Sequence, residues 1–320
     1  MRRRRELREL AFPLLAGGVA VTVMAEIARR AFRNAKLFCP SPHPVKSWNP
    51  ADYGIPPYAV EKQWFETPDG EMLYGWYCRS SHPIASSVFC HGNTGNLTVS
   101  ADVIPHLLDA GINVLVFDYR GFGKSSGWPS IRGVILDGVT AARFHESIRP
   151  KNLPSILYGY SLGGAIAAQV IKQHPFDALI LQSTFTSLPD VTKAVWPHLP
   201  LHAFAGNLFD TLGVVRRLNV PLLVIHGGAD EVVPCWMAHA LHDTCSSTKR
   251  IWIVDGGLHK DLHIRDGESL VSTINRFAAD VPRNTHGTSL EAPTRAEQLI
   301  DSAFRYIRRG MRRHLLHQPQ

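Results

Sequence analysis

The pattern of hydrophobic and polar positions along this chain predicts short strands alternating with helices. Runs rich in apolar, β-branched and aromatic residues predict strands at 59–67, 72–80, 86–91, 113–119, 154–160, 178–183, 221–227 and 250–256. Segments with helical spacing of apolar residues predict helices at 101–111, 131–147 and 161–174, and near 235–245 and 268–279. Several strand runs are apolar throughout, which is typical of a parallel sheet buried on both faces. We therefore expect an α/β fold with a mostly parallel central sheet and helices on both faces.

Composition and charge separate the body of the chain from its two ends. With 320 residues, 45% of them hydrophobic and 19% charged, the chain is long enough for one large globular domain or two small ones. Residues 1–40 carry nine Lys or Arg against three Asp or Glu, whereas 41–290 is nearly neutral. A neutral body argues against a nucleic-acid partner, and basic ends fit a membrane surface. The five cysteines are scattered and predict neither a disulfide framework nor a metal site.

The N-terminal region contains an uncharged apolar segment, 11–25, between basic flanks. It is shorter than the roughly 20 residues that a membrane-spanning helix needs, and it also resembles a signal peptide. We expect a membrane-associated protein with an uncleaved, single-pass N-terminal anchor. The alternatives are an exported protein that loses this segment and a cytoplasmic protein in which it forms a soluble amphipathic or buried helix.

Three regions follow from these features. Residues 1–38 form a basic N-terminus with the anchor or signal segment, 39–282 form the α/β domain, and 283–320 form a linker and a basic amphipathic helix. That last helix begins with a capping box of Thr294 and Glu297. It either lies on a membrane surface or packs on the sheet with its arginines in water.

Ser161 lies between glycines at the point where a predicted strand passes into a predicted helix. The segment Gly159-Tyr160-Ser161-Leu162-Gly163 matches G-x-S-x-G. In that motif glycines permit a sharp turn that exposes the serine oxygen, and the helix N-terminus faces developing negative charge. A serine that only caps the helix is the alternative. The strand–turn–helix context favours a nucleophile.

A nucleophilic serine needs a histidine that acts as its base and an acid that orients the histidine. On an α/β scaffold with this motif, the acid follows the serine along the chain and the histidine follows the acid. Asp230 follows one late apolar strand and His259 follows the next. The carboxyl ends of parallel strands share one edge of a sheet, so we expect both residues to lie near the serine. Glu231 and His263 are the weaker candidates for the acid and the base.

The loop after the predicted strand at 86–91 stands where enzymes with a serine nucleophile on this α/β scaffold form an oxyanion hole. We assign the backbone N–H groups of Asn93 and Leu162 to this hole. His91 is a poor candidate for the base because it lies upstream of the serine, and it can equally be a structural residue of a turn.

Five segments carry a resemblance to a known family. They are HGNTGN (91–96), DYRGFGKSSG (118–127), GYSLGG (159–164), IHGGADEVVP (225–234) and GGLH (256–259). In this order they resemble the α/β-hydrolase superfamily of serine hydrolases over roughly residues 40–280. Within it the chain is similar to the membrane-anchored depalmitoylase-like and bud-emergence-type branch, whose members often carry an N-terminal anchor. The resemblance implies that Asp118 and Arg120 shape the loop beside the site. The chain departs from the branch at Lys260, where Asn or Asp commonly follows the histidine.

These features predict a serine hydrolase that cleaves carboxylic esters or thioesters through an acyl-enzyme, with no metal and no cofactor. The expected partners are a small acyl-containing substrate or an acylated protein, and a membrane surface. A peptidase or amidase that uses the same triad is one alternative. A catalytically inactive hydrolase fold that serves as an interaction module at a membrane is the other.

Overall fold

A computed structural model of the chain describes residues 37–195, 197–198 and 208–282. Eight strands form its central sheet: β1 (Val60–Glu66), β2 (Met72–Cys78), β3 (Ala85–Cys90), β4 (Ile112–Phe117), β5 (Ser155–Tyr160), β6 (Ala178–Gln182), β7 (Leu222–Gly227) and β8 (Lys249–Val254). The strand order across the sheet is β8-β7-β6-β5-β3-β4-β2-β1. All eight strands fall within one or two residues of the predicted runs.

The sheet is parallel except at the end that carries the first hairpin. β1 pairs antiparallel with β2, and β2 pairs antiparallel with β4. The remaining pairs are parallel. A turn with Pro68, Asp69 and Gly70 joins β1 to β2, and so short a connection can join only antiparallel neighbours. The predicted mostly parallel sheet is confirmed.

Helices cover both faces of this sheet. They are α1 (Ile104–Asp109), α2 (Ile131–Ile148), α3 (Leu162–Val170), α4 (Leu188–Val195), α5 (Thr211–Val215), α6 (Trp236–Thr244), α7 (Leu262–Arg265) and α8 (Gly267–Ala279). Short 3-10 helices span Pro50–Tyr53, Pro57–Ala59, Leu97–Val99 and Ala101–Val103. A two-residue strand, Cys39–Pro40, pairs in parallel with Thr94–Gly95.

Strand β4 shows why the central strands are apolar throughout. Leu115 and Phe117 pack into a core shared with residues of α2, α3 and α6. Val114 and Val116, which alternate with them, pack into a second core shared with residues of α1 and α8. Successive side chains of a strand point to opposite faces, so a strand covered on both sides must be apolar at every position.

Two predicted helices are shorter than their sequence patterns. The segment 101–111 forms an α-helix only over Ile104–Asp109, because Pro105 lies in its first turn and its missing N–H fits only there. The predicted helix 161–174 ends at Val170 and continues as turns.

The expectations for 1–36 and for 283–320, namely the anchor or signal segment and the basic C-terminal helix, lie outside the described residues. Over the ranges that the structure does describe, no helix combines the length and the apolar character needed to cross a bilayer.

Candidate active site

Ser161 occupies a strained turn between β5 and α3. Its φ of 53° and ψ of −121° lie in a region that side-chain-bearing residues rarely adopt. Three hydrogen bonds hold this conformation. The Ser161 N–H donates to Gln182 O at 2.9 Å, and its carbonyl accepts from Gly164 N at 2.9 Å and from Thr184 Oγ1 at 2.7 Å. Such strain, about 1–3 kcal/mol, persists only where the surroundings determine the backbone.

The glycines around Ser161 are required by close backbone contacts. A Cβ atom at Gly159 would lie 2.4 Å from Gly164 Cα. A Cβ atom at Gly163 would lie 1.9 Å from the carbonyl oxygen of Cys90, at the end of β3. The helix therefore begins in contact with two strand ends, and this contact keeps the serine at the edge of the sheet.

Ser161, His259 and Asp230 form one chain of hydrogen bonds. His259 Nε2 lies 3.0 Å from Ser161 Oγ, and His259 Nδ1 lies 2.8 Å from Asp230 Oδ2. The three residues stand after β5, β8 and β7, at the edge where the parallel strands end. The side chains of His259 and Asp230 are buried. The structure thus brings together the three residues that the sequence motifs single out.

The Asp230 carboxylate is held by more than the histidine. Its Oδ1 accepts from the backbone N–H groups of Val232 and Val233, both at 2.8 Å. His226 Nε2 lies 3.2 Å from its Oδ2. Burial opposes ionisation of Asp230, but hydrogen bonds from His226 and His259 outweigh it and hold the pKa of this carboxyl well below its usual range. Asp230 is therefore charged at neutral pH and can orient the His259 ring.

The two rival residues have other roles. Glu231 Oε2 accepts the backbone N–H of His259 at 3.2 Å, so it contacts the main chain of the base and not its ring. His263 packs edge-to-face against His106, with ring centroids 5.7 Å apart, and burial lowers the pKa of His263. Lys260 is exposed to solvent beside His259.

Two residues of this site were not among the predicted functional residues. Tyr160 donates its hydroxyl to the His259 carbonyl at 3.1 Å, across 99 positions of the chain. His226 bridges Asp230 Oδ2 and the Val233 carbonyl, which lies 2.9 Å from the same Nε2. A signal for His226 was present, since it is a polar residue near the end of an otherwise apolar strand.

The loop after β3 lies directly beside Ser161. A Cβ atom added to Gly92 would lie 3.7 Å from Ser161 Cβ. The N–H groups of Asn93 and Leu162 do not donate to any loop, turn or cap acceptor within the described part of the chain. The two backbone N–H groups assigned to the oxyanion hole therefore belong to segments that contact the turn at Ser161.

His91 is a buried structural residue of this loop. Its Nδ1 lies 2.8 Å from the Gly92 carbonyl, and its Nε2 lies 3.6 Å from Asp118 Oδ1. Burial lowers the pKa of His91 to about 4, so the ring is neutral and weakly basic. Burial also raises the pKa of Asp118, which accepts the N–H of Leu97 at 2.6 Å.

Arg120 fixes the neighbouring loop after β4. Its guanidinium donates to Asp137 at 2.7–3.1 Å and to Asp69 at 2.8 and 3.0 Å. Bidentate hydrogen bonds from one guanidinium to two carboxylates hold all three groups in a fixed geometry. Asp118 and Arg120 therefore order the loops around the site and do not contact the triad.

Comparisons with known proteins agree with this architecture. The family model described as serine aminopeptidase S33 matches residues 81–218. An uncharacterised protein of Mycobacterium tuberculosis is 32% identical over 270 residues, 83% of this chain and 92% of the relative. An uncharacterised membrane protein of Saccharomyces cerevisiae is 28% identical over 264 residues, 79% of this chain and 92% of the relative. The solved Pyrococcus furiosus esterase Pf2001 has the same fold, with a TM-score of 0.61 at 20% identity over 75% of this chain and 97% of that chain.

The match to the mycobacterial relative extends well beyond the segment that the family model covers, over nearly the whole of that protein. The similarity therefore covers most of the described domain. The sheet order and the strained serine turn agree with it. The chain belongs to the α/β-hydrolase superfamily of hydrolytic enzymes.

Proposed function

We propose that the protein is a serine hydrolase that cleaves carboxylic ester or thioester bonds through an acyl-enzyme formed on Ser161. The observation that carries this proposal is the chain of hydrogen bonds from Ser161 through His259 to Asp230, with Asp230 held in its charged form. A hydroxyl hydrogen-bonded to a buried, oriented imidazole is the arrangement that activates serine for attack on a carbonyl carbon.

The reaction follows from this geometry in two halves. Ser161 Oγ attacks the carbonyl carbon while His259 Nε2 accepts the hydroxyl proton, and the carbonyl oxygen becomes an oxyanion. The N–H groups of Leu162 and Asn93 donate to that oxyanion. His259 then returns its proton to the leaving alkoxide or thiolate. Water, deprotonated by His259, attacks the acyl-enzyme. Collapse of the second oxyanion expels the Ser161 oxygen, which takes that proton back from His259, and releases the carboxylic acid.

Asp230 stabilises the imidazolium that forms in each half-reaction and remains ionised throughout. Its low pKa favours this role, because a neutral carboxyl would neither orient the Nδ1–H of His259 nor balance the positive charge. Tyr160 and Glu231 support the base by holding its carbonyl and its N–H in place.

The surface beside the triad favours an apolar acyl substrate. Val232, Trp236 and Leu258 are 41%, 52% and 41% exposed. Val232 and Leu258 stand on the loops that carry Asp230 and His259, and Trp236 is the first residue of α6, which follows the Asp230 loop. We call these three residues the apolar rim. Exposed apolar side chains that are close in the chain to the acid and the base suit a hydrocarbon chain attached to the scissile carbonyl.

We also propose that the protein is membrane-associated. The support is the apolar segment 11–25 with its basic flanks, and the name of the yeast relative as a membrane protein. A hydrolase attached to a bilayer meets acyl chains of lipids or acylated proteins at that surface.

Hydrolysis of an amide bond is the second candidate. It is favoured by the description of the matching family model as serine aminopeptidase. The same groups would act, with His259 protonating a leaving amine in place of an alkoxide or thiolate. A catalytically inactive interaction module is the remaining alternative.

The test begins with a fluorophosphonate probe, which reacts covalently with an activated serine. Wild type should label and Ser161→Ala should not. Ser183→Ala is the matched control, because Ser183 likewise stands at a strand end with a positive φ, 49°, but is fully buried, and this variant should label like wild type. A folded wild-type protein that never labels would exclude the hydrolase and favour the inactive module.

Wild-type enzyme that has not been treated with the probe is then offered p-nitrophenyl esters of increasing acyl length, acyl thioesters and aminoacyl anilides. Turnover of esters or thioesters with no turnover of anilides supports the first proposal. Preferential turnover of anilides supports the amidase.

A further inference from the structure

The described chain begins in contact with the loop proposed to form the oxyanion hole. The two-residue strand Cys39–Pro40 pairs in parallel with Thr94–Gly95. Within this pairing the Cys39 N–H donates to the Asn93 carbonyl at 2.9 Å, and the Ser41 N–H donates to the Gly95 carbonyl at 2.7 Å. We call residues 37–41 the strap and residues 91–96 the oxyanion loop.

Side chains of the oxyanion loop return hydrogen bonds to the strap and to the residues after it. Asn93 Nδ2 donates to the Leu37 carbonyl at 3.3 Å. Asn96 Nδ2 donates to the carbonyls of Ser41 at 3.1 Å and His43 at 2.7 Å. Asn93 is thus held twice by the strap, through its carbonyl by Cys39 and through its side-chain amide by Leu37.

The strap is itself fixed to the body of the domain. Phe38 is buried, 3% exposed, and packs edge-to-face on Phe122 with ring centroids 6.4 Å apart. The Gly123 N–H donates to the Ser41 carbonyl at 3.0 Å. Phe122 also contacts His91, with ring centroids 5.3 Å apart. The strap therefore connects the oxyanion loop to the rigid loop after β4.

We propose that the strap positions Asn93 so that its N–H points at the oxyanion of the transition state. This inference rests on the proposed function, since it assigns to the strap the task of holding one of the two proposed donors. A donor stabilises the transition state only when it lies within hydrogen-bond distance of the developing charge, and loss of one such donor lowers kcat about 100- to 1000-fold. Loosening the strap displaces Asn93 without removing its N–H.

The decisive variant is Cys39→Pro, which removes the N–H that donates to the Asn93 carbonyl. Cys39→Ala is the matched control, because it keeps that N–H and deletes only an exposed thiol. Both are made in the full chain. We measure kcat and KM on a soluble p-nitrophenyl ester, the affinity for an alkyl boronic acid that mimics the tetrahedral intermediate, and the melting temperature.

The expected result is a fall in kcat of about tenfold for Cys39→Pro, part of what loss of a whole donor costs. The affinity for the boronic acid should fall by a similar factor, with KM and the melting temperature close to wild type. Cys39→Ala should match wild type in every measurement. A Cys39→Pro protein with wild-type melting, wild-type kcat and wild-type boronate affinity would overturn the proposal.

If Cys39→Pro melts at a lower temperature, Asn93→Ala decides. It keeps the N–H of residue 93 and removes its two side-chain hydrogen bonds, the one donated to the Leu37 carbonyl at 3.3 Å and the one accepted from the Thr94 hydroxyl at 3.0 Å. A stable Asn93→Ala protein with reduced kcat and unchanged KM supports the strap, and one with wild-type kcat overturns it. Failure of the proposed function has a different signature, because wild type itself would then neither label with fluorophosphonate nor hydrolyse any ester.

Discussion

His226 Nε2 lies 3.2 Å from Asp230 Oδ2, the same carboxylate oxygen that accepts the hydrogen bond of His259 at 2.8 Å. The proposed acid of the triad therefore contacts two imidazoles. His226 is the next-to-last residue of β7, directly before the loop that carries Asp230. It is fully buried, so its ring cannot move away from the carboxylate. This second imidazole and the two backbone N–H donors to Oδ1 offset the cost of burying the charge.

Removal of the contact between His226 and Asp230 should raise the pKa of Asp230. In wild type the pKa of Asp230 lies below its usual range, so the carboxylate stays ionised as pH falls through the ordinary aspartate value of about 3.9. His226→Leu deletes a donor while burial remains, so the pKa of Asp230 should rise and protonation should begin at higher pH. We expect kcat at pH 7 to fall about tenfold, since a hydrogen bond to a charged group contributes about 1.5–3 kcal/mol. The acid limb of the pH–rate profile should move to higher pH.

His226→Gln serves as the control for this prediction because its amide retains an N–H donor near the position of Nε2. It should recover most of the activity and the wild-type acid limb. Equal pH–rate profiles for wild type and His226→Leu would show that His226 does not tune Asp230.

Two neighbouring carboxylates allow a direct test of which one is the acid. Asp230→Asn should lower kcat by about 10⁴, as expected when a triad acid no longer selects the correct tautomer of its histidine. Glu231→Gln should cost less than about tenfold, because Glu231 accepts only the backbone N–H of His259 and a neutral amide can still accept that bond. Steady-state kinetics on one soluble ester decide, and a larger loss in Glu231→Gln than in Asp230→Asn would reverse the assignment.

Sequence patterns predicted the fold because the six inner strands, β2 to β7, are buried on both faces. Apolar runs such as the one that ends at Phe117 have no placement in a folded domain other than its core. The candidate triad was predictable for a related reason. Each of its residues directly follows one of these runs, and parallel strands bring their carboxyl ends to one edge.

The contacts that tune the site could not be predicted in the same way. Tyr160 and His259 meet across 99 positions, and the Leu37 carbonyl and Asn93 meet across 56. Neither pair has a motif, since both depend on how loops from distant strands pack together. The choice between Asp230 and Glu231 is likewise geometric, because adjacent residues of one loop point to different atoms of the same histidine.

Gly163 should tolerate no side chain. A methyl group there would lie 1.9 Å from the Cys90 carbonyl oxygen and 2.5 Å from that of His91, so α3 must move away from β3. We expect Gly163→Ala to lose about 1–3 kcal/mol of unfolding free energy, as overpacked sites do. Its kcat should also fall, because Leu162 moves with the helix. Thermal unfolding and ester kinetics measure both effects.

Gly228→Ala is the control for this steric effect. Its nearest neighbour, the Val254 carbonyl oxygen, would lie 3.3 Å from the added Cβ, which a small adjustment can relieve. Its stability and kcat should stay close to wild type. Wild-type stability in Gly163→Ala would contradict the close helix–strand contact.

The apolar rim should determine selectivity for acyl length and not the chemical step. Trp236→Ser and Leu258→Ser remove exposed apolar surface of the rim, so kcat/KM for a long-chain p-nitrophenyl ester should fall about tenfold, the effect of losing part of a side chain's burial of about 1.5–3 kcal/mol. Hydrolysis of the acetate ester should change little. Trp64→Ser is the matched control, because Trp64 is 50% exposed on β1, at the end of the sheet opposite β8. The ratio of kcat/KM for the long and short esters is the measurement. A ratio that falls equally in Trp64→Ser, or that does not fall in the rim variants, would place the acyl-binding surface elsewhere in the chain.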